Sequence, residues 1–301
     1  VWGPPGLNES LRAEALGKAR EADVVVMTLG LSPSLEGEEM DVKVKGFSGG
    51  DRTDLEMPEA QDELLKAVSA TGKPVVLVLL NGGALAVNWA QANVPAIVEA
   101  WYPGEEGGTA IADVLFGDYN PAGRLPVTFY KSAAQLPPFD DYRMEGKTYR
   151  YFKGDPLYPF GHGLSYTTFR YDNLRLSAKR YAAGRNVELS VEVQNTGARA
   201  GDEVVQLYVT DAEASAPTPV RALKGARRIH LKPGERRRVS FTLTPHDLSL
   251  VDERGRRLLE PGEFRVSVGG KQPGFKGAAD AATTGVVNGS FTVTGQTVEI
   301  P

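Results

Sequence analysis

The chain has no cysteine, only three histidines, and no apolar run long enough to span a bilayer. The first absence excludes disulfides, thiolate catalysis and zinc–cysteine sites, and it leaves the redox compartment open. The histidines, His162, His230 and His246, are scattered, which argues against a histidine-rich metal centre; no metal and no cofactor are expected. Net charge is scarce as well: −4 over 301 residues gives no reason to expect nucleic acid or a membrane surface as partner. A Gly-x-Gly-x-x-Gly fingerprint is missing after the first apolar run. Pro103-Gly104-Glu105-Glu106-Gly107-Gly108 is a weak substitute, since its two glutamates would repel a pyrophosphate. The opening Val1-Trp2-Gly3-Pro4-Pro5 shows neither an initiator Met nor a signal-like segment. It reads as a fragment or a processed piece, with any targeting signal upstream.

What is present is globular. Apolar residues make up 41% and charged residues 24%, and the length suits two domains with an ample core. Residues 8–22 have apolar residues at helical spacing (Leu11, Ala15, Leu16, Ala19) behind a candidate N-cap, Asn8. Asp23–Leu29, Pro74–Leu80 and Ala96–Trp101 are short apolar runs without alternation, as expected of buried parallel strands. Helices are expected from Pro58 to Gly72, from Leu85 to Ala92 with Trp89 inward, and from Thr109 to Phe116. Helix, strand and loop thus recur in the order of a parallel sheet covered by helices. From about Phe169 the period becomes two, as in Asn186–Val193, Val204–Val209, Arg238–Leu243 and Phe264–Val268. About seven such strands read as a β-sandwich.

The expected organisation is therefore an α/β sandwich domain over residues 1–130 and a β-sandwich over 169–301. Between them, 131–168 form an aromatic- and proline-rich linker packed along the first domain. Residues 271–290, rich in Gly, Ala and Thr, are expected to be a flexible insertion before a last strand, Phe291–Ile300. The basic residues between Arg221 and Arg238 are read as a solvated or docking face.

The stretch with the strongest functional signal is Leu29–Pro58, a long, Gly-broken, acidic loop directly after the first strand. Open α/β sheets bind ligands at the carboxyl ends of their strands, so a long loop there is a functional candidate. It carries Glu36, Glu38 and Glu39 and closes on Gly49-Gly50-Asp51-Arg52. Glutamates in such a loop are commonly just solvated, and Asp51 with Arg52 is expected to brace the loop as an ion pair. Trp89 and Trp101 are expected in the core, Glu105 and Glu106 in structural roles, and His162 in a locally hydrogen-bonded turn.

Four blocks together carry a resemblance. They are Leu35-Glu36-Gly37-Glu38 with Gly49-Gly50-Asp51-Arg52, then Trp101 to Gly108, then Phe116 to Pro126, and finally Tyr158-Pro159-Phe160-Gly161-His162-Gly163-Leu164-Ser165-Tyr166. In this order they resemble the C-terminal part of glycoside hydrolase family 3 enzymes, the β-glucosidases and β-xylosidases. The resemblance implies an α/β sandwich followed by a fibronectin type III-like domain, and a preceding (β/α)8 barrel that holds the nucleophilic aspartate. This chain contains no barrel; the barrel is expected as a separate or cleaved polypeptide. The implied activity is that of a retaining exo-acting β-glycosidase on β-linked oligosaccharides or aryl glycosides. The implied general acid/base is Glu36, with Glu38 and Glu39 as rivals or substrate-loop residues and Asp51 and Arg52 as loop support. Secretion or a periplasmic location is expected over the cytoplasm, and a dimer is allowed. A non-catalytic carbohydrate- or protein-binding module is the alternative.

Overall fold

The computed structural model describes residues 8–42 and 44–301; the opening Val1-Trp2-Gly3-Pro4-Pro5 and Lys43 of the acidic loop lie outside them. The chain divides into two compact units. The first runs to Phe116 and includes Phe129–Leu136; the second comprises Gly117–Thr128 and Pro137–Pro301.

The first unit alternates helices α1 (Glu9–Glu21), α2 (Glu59–Ser69), α3 (Asn88–Asn93) and α4 (Gly107–Phe116) with strands β1 (Val25–Gly30), β2 (Val75–Leu80) and β3 (Ala96–Glu99). The strands form a parallel sheet in the order β1-β2-β3, with Val25 opposite Val75 and Val76 opposite Ala96. Asn8 caps α1 by accepting from the Ser10 and Leu11 amides at 3.1 and 3.2 Å. Of the apolar stripe expected on α1, only Ala19 is buried, and Leu11 is 57% exposed. Burial on both faces holds for the central β2, where Val75, Leu77, Val78 and Leu79 are at most 1% exposed. It does not hold for β3, which has no fully buried residue, nor for β1. That strand lies at the sheet edge, so α2 packs on one of its faces while Val26 on the other stays 52% exposed.

The second unit is a sandwich. One sheet has three strands, β4 (Phe169–Leu176), β6 (Val187–Asn195) and β9 (Arg236–Leu243), in the order β9-β6-β4. The other has five: β5 (Arg180–Ala182), β7 (Gly201–Asp211), β8 (Ala222–Leu231), β10 (Gly262–Gly269) and β11 (Val286–Thr294), in the order β8-β7-β10-β11-β5. Their inner faces supply one core that includes Val191, Leu207, Phe241, Phe264 and Phe291.

The strand β7 departs from simple alternation, because Gln206 and Tyr208, opposite the face of Val205, Leu207 and Val209, are also buried, and its core-side face carries a charged residue, Glu203. Buried polar groups require partners, and residues 117–128 and 137–168 supply some of them. Arg124 donates to Glu203 at 2.7 Å, and Gln206 donates to the Gly161 carbonyl at 3.2 Å. Tyr149 stacks on Phe160 with centroids 4.1 Å apart and meets Tyr208 edge-on at 6.2 Å. The aromatic passage expected along the first domain is thus grouped, from Pro137 onward, with the sandwich. The Gly/Ala-rich stretch expected to be flexible is packed as well. Ala281 is 1% exposed, Thr284 donates to Glu203 at 2.9 Å, and the last long strand starts at Val286.

Candidate active site

The sheet of the first unit ends in three connections that meet. β1 stops at Gly30, whose amide donates to the Gln61 side chain at 2.7 Å while its carbonyl accepts from it at 2.9 Å. Gln61 on α2 thereby clamps the entrance of the acidic loop. Beyond it, Leu31 and Leu35 are buried and anchor the loop to the unit, which leaves the next residue, Glu36, half-buried. The loop turns back through a short hairpin, Phe47–Ser48 against Asp51–Arg52. Gly50 lies so close to the crossing chain that a Cβ there would sit 1.6 Å from the Gly37 carbonyl oxygen, and its φ of 92° is left-handed.

Glu36 meets the other two connections directly. Tyr102, three residues past β3, donates its hydroxyl to Glu36 Oε2 at 2.5 Å. The amide of Gly82, two residues past β2, donates to the same oxygen at 3.4 Å. A Cβ at Gly82 would lie 2.9 Å from the Tyr102 ring and 3.3 Å from Glu36 Oε2, so any side chain there would displace the ring that holds Glu36. Oε1 takes no hydrogen bond among the described residues. Burial, reinforced by the bond to Glu36, holds the Tyr102 phenol above its usual range, which keeps it a donor.

Arg52 is the nearby cation. Desolvation lowers it from the ordinary guanidinium value, while the charges of Glu36 and Asp54 act in the opposite direction. It donates through Nη1 to the Ala84 carbonyl at 2.8 Å, and its Nη2 is buried without a partner. The expected Asp51–Arg52 brace is not what forms: Asp51 is exposed, and Arg52 faces Glu36 and Asp54 instead. In a two-stranded hairpin adjacent residues point to opposite sides, so neighbours in sequence do not pair. Glu38 and Glu39 are exposed, as are Glu105 and Glu106.

Trp101 is half-buried at a left-handed φ of 54° and meets Phe129 edge-on at 5.9 Å. Trp89 is also only half-buried, with Lys66 Nζ 5.8 Å above its ring. Both were expected in the core. His162 keeps its local backbone bond to Pro159 at 3.2 Å, but its ring Nδ1 is buried without a partner. Tyr102, Gly82 and Gln61 were missed because spacing alone does not say which loop ends converge. The available signal was their common position after parallel strands.

The strand that leads to Tyr102 carries a second carboxyl group. Glu99 ends β3, accepts from the Trp101 amide at 3.2 Å, and is pushed up to about 7 by burial. Its Oε2 and the Oδ1 of fully buried Asn81 are both unpartnered, and the two residues are within hydrogen-bonding reach. Burial favours the neutral, protonated carboxyl. The folded state then binds this proton more tightly than the unfolded chain does. Stability is full below about 4.5, falls as pH rises to about 7, and is flat above that. The expected loss is about 2 kcal/mol after allowing for partial exposure. Unfolding titrations at pH 4.5 and 8 on the protein and its Glu99→Gln variant check this. The variant should lose that part of the pH dependence; an unchanged difference between the two pH values would refute the assignment.

The comparisons with known proteins agree with this architecture. Residues 7–166 match the glycosyl hydrolase family 3 C-terminal domain, and residues 203–272 match a fibronectin type III-like domain. The chain is 45% identical over 257 residues to a xylan 1,4-beta-xylosidase of Xylanibacter ruminicola, covering 85% of this chain and 29% of that protein. It is 42% identical over 277 residues to a periplasmic beta-glucosidase of Salmonella typhimurium, covering 88% and 35%. A solved β-glucosidase of Erythrobacter marinus superposes with a TM-score of 0.83 at 40% identity, covering 98% of this chain and 37% of that one. The chain thus spans about a third of the length of the curated relatives it matches. With a family match over more than half of its length, the chain belongs to the glycosyl hydrolase family 3 C-terminal domain family.

Proposed function

We propose that this chain supplies the general acid/base, Glu36, to a retaining exo-acting β-glycosidase whose nucleophile is carried by a (β/α)8 barrel outside this chain. The observation that carries the reading is the Glu36 carboxyl itself. One oxygen is held by Tyr102 and Gly82 from two other connections, and the other takes no hydrogen bond among the described residues. A retaining mechanism needs such a group about 5–5.5 Å from a nucleophilic carboxylate. It protonates the leaving oxygen in the first step and deprotonates water in the second. In this reading Oε1 is the atom that exchanges the proton. Tyr102 fixes the plane of the carboxyl, and the Arg52 charge supports the carboxylate left after the first transfer.

The substrates follow from chemistry and from the relatives' names, which include both beta-xylosidase and beta-glucosidase. Short β-linked glucosides or xylosides, or their aryl analogues, are the proposed substrates, and Glu38 and Glu39 are available to the substrate loop. Export from the cytoplasm is part of the same proposal, supported by a relative named periplasmic. Among the described residues no helix is long and apolar enough to cross a membrane.

The test is hydrolysis of aryl β-glucoside and aryl β-xyloside by the natively produced protein, with intact mass recorded on the same sample. Turnover in material that includes a barrel-sized mass, on this chain or beside it, is expected. Saccharide binding without turnover when the barrel is present would favour a non-catalytic binding module and overturn the proposal.

A further inference from the structure

Two loops of the second unit carry the same tripeptide, Phe152-Lys153-Gly154 and Phe275-Lys276-Gly277. In both, the phenylalanine ring folds back over the glycine. A Cβ on Gly154 would lie 2.5 Å from Phe152 Cζ, and one on Gly277 would lie 2.4 Å from Phe275 Cζ. Both loops line one cavity of about 370 Å³, and each keeps its lysine exposed. Arg221 lines the same cavity half-buried. Its guanidinium donates to the Tyr149 carbonyl at 3.3 Å and has no carboxylate partner among the described residues. Desolvation holds it below the ordinary guanidinium range. Thr128, also in the lining, is 7% exposed, and its Oγ1 is buried with no hydrogen-bond partner. Asp155 is the one acid in the lining, against three cations, and it makes an interaction of its own.

A half-buried guanidinium without a counter-ion and an orphaned buried hydroxyl both cost free energy unless something supplies acceptors. A planar guanidinium matches a carboxylate in two parallel hydrogen bonds. The cavity lies in the size range of small-molecule sites and is too roomy for a bare inorganic anion alone. The two aromatic rings offer apolar faces to the C–H side of a pyranose. We propose that this cavity binds a carboxylate-bearing sugar of the hexuronate class. Its carboxylate sits on Arg221 within the field of Lys153 and Lys276, a ring hydroxyl bonds Thr128 Oγ1, and Phe152 and Phe275 pack against the ring. The proposal stands apart from the role of Glu36.

Titration of the full-length protein with D-glucuronate, followed by calorimetry and ligand-observed NMR, tests it. Saturable binding is expected, weakened about tenfold or more in Arg221→Gln and in the Lys153→Gln/Lys276→Gln double variant, as charged hydrogen bonds require. The double variant alters only exposed side chains, so it keeps the test open if Arg221→Gln unfolds. D-glucose should not compete, acetate should bind at least about tenfold more weakly, and Glu36→Gln should bind D-glucuronate as the unmodified protein does. No saturation, unchanged affinity in the double variant, loss of binding in Glu36→Gln, or acetate or inorganic phosphate binding as tightly as D-glucuronate would overturn it.

Discussion

Replacing Glu36 with alanine is expected to slow hydrolysis of alkyl β-glycosides by the assembled enzyme about 10²- to 10⁴-fold, the usual contribution of a positioned acid/base. The size of the loss should depend on the leaving group. An alkoxide must be protonated as it departs, so its release depends on the acid. A nitrophenolate departs without help, so the first step survives in the variant and the second, which needs a base to activate water, becomes limiting. The glycosyl–enzyme should then accumulate, visible as a burst of phenolate. Azide needs no base and would enter the space left by the side chain, restoring turnover and giving a glycosyl azide. Glu38→Ala and Glu39→Ala, at exposed positions, should show neither burst nor azide rescue. Full activity in Glu36→Ala, or rescue in one of its neighbours instead, would move the acid/base elsewhere on the loop.

The second large effect is on stability. Glu203→Ala is expected to destabilise the β-sandwich unit by about 3–5 kcal/mol, the range for removing one partner of a buried ion pair. Glu203 and Arg124 have side-chain exposures of 0% and 6%, and their N···O separation is 2.7 Å. The carboxylate also accepts from the Thr284 hydroxyl at 2.9 Å and the Val204 amide at 2.7 Å. Arg124 in turn donates to the Gly270 carbonyl at 3.0 Å. Truncating the acid leaves a guanidinium in an apolar setting with one carbonyl partner from that strand end and one, Gly123, from its own turn. Changing both residues to apolar ones of similar volume should recover much of the loss, because the cost lies in the unpaired charge. Denaturant unfolding of Glu203→Ala and the double variant measures both values. A loss under about 1 kcal/mol in the single variant would mean that water reaches Arg124 and that the pair is not structural.

This pair also shows where sequence reading stops. The run Gly123-Arg124-Leu125-Pro126 stood out as a motif, and alternation in 187–193 and 238–243 placed those strands correctly. Nothing local marked Arg124 as the partner of a residue 79 positions away. Period two places Gln206 and Tyr208 on the face opposite Leu207, yet both are buried, and Glu203, on the Leu207 face, is a buried charge. Likewise, short apolar runs identified all three strands of the parallel sheet, but not that β1 would be an edge with Val26 exposed, because composition does not report which strand is central.

By itself the sequence determined what depends on local chemistry. The hydrophobic period set helix against strand, glycines set the sharp turns of the acidic loop, and motif blocks in order marked the family. Only the tertiary structure decided what surrounds that glutamate. Tyr102 and Gly82 reach it from 66 and 46 residues away, and the charge of Arg52 acts on it in place of pairing with Asp51. The reason is geometric. A parallel sheet brings the carboxyl ends of distant strands to one edge, and which side chains meet there depends on strand order and loop path, which no local period records.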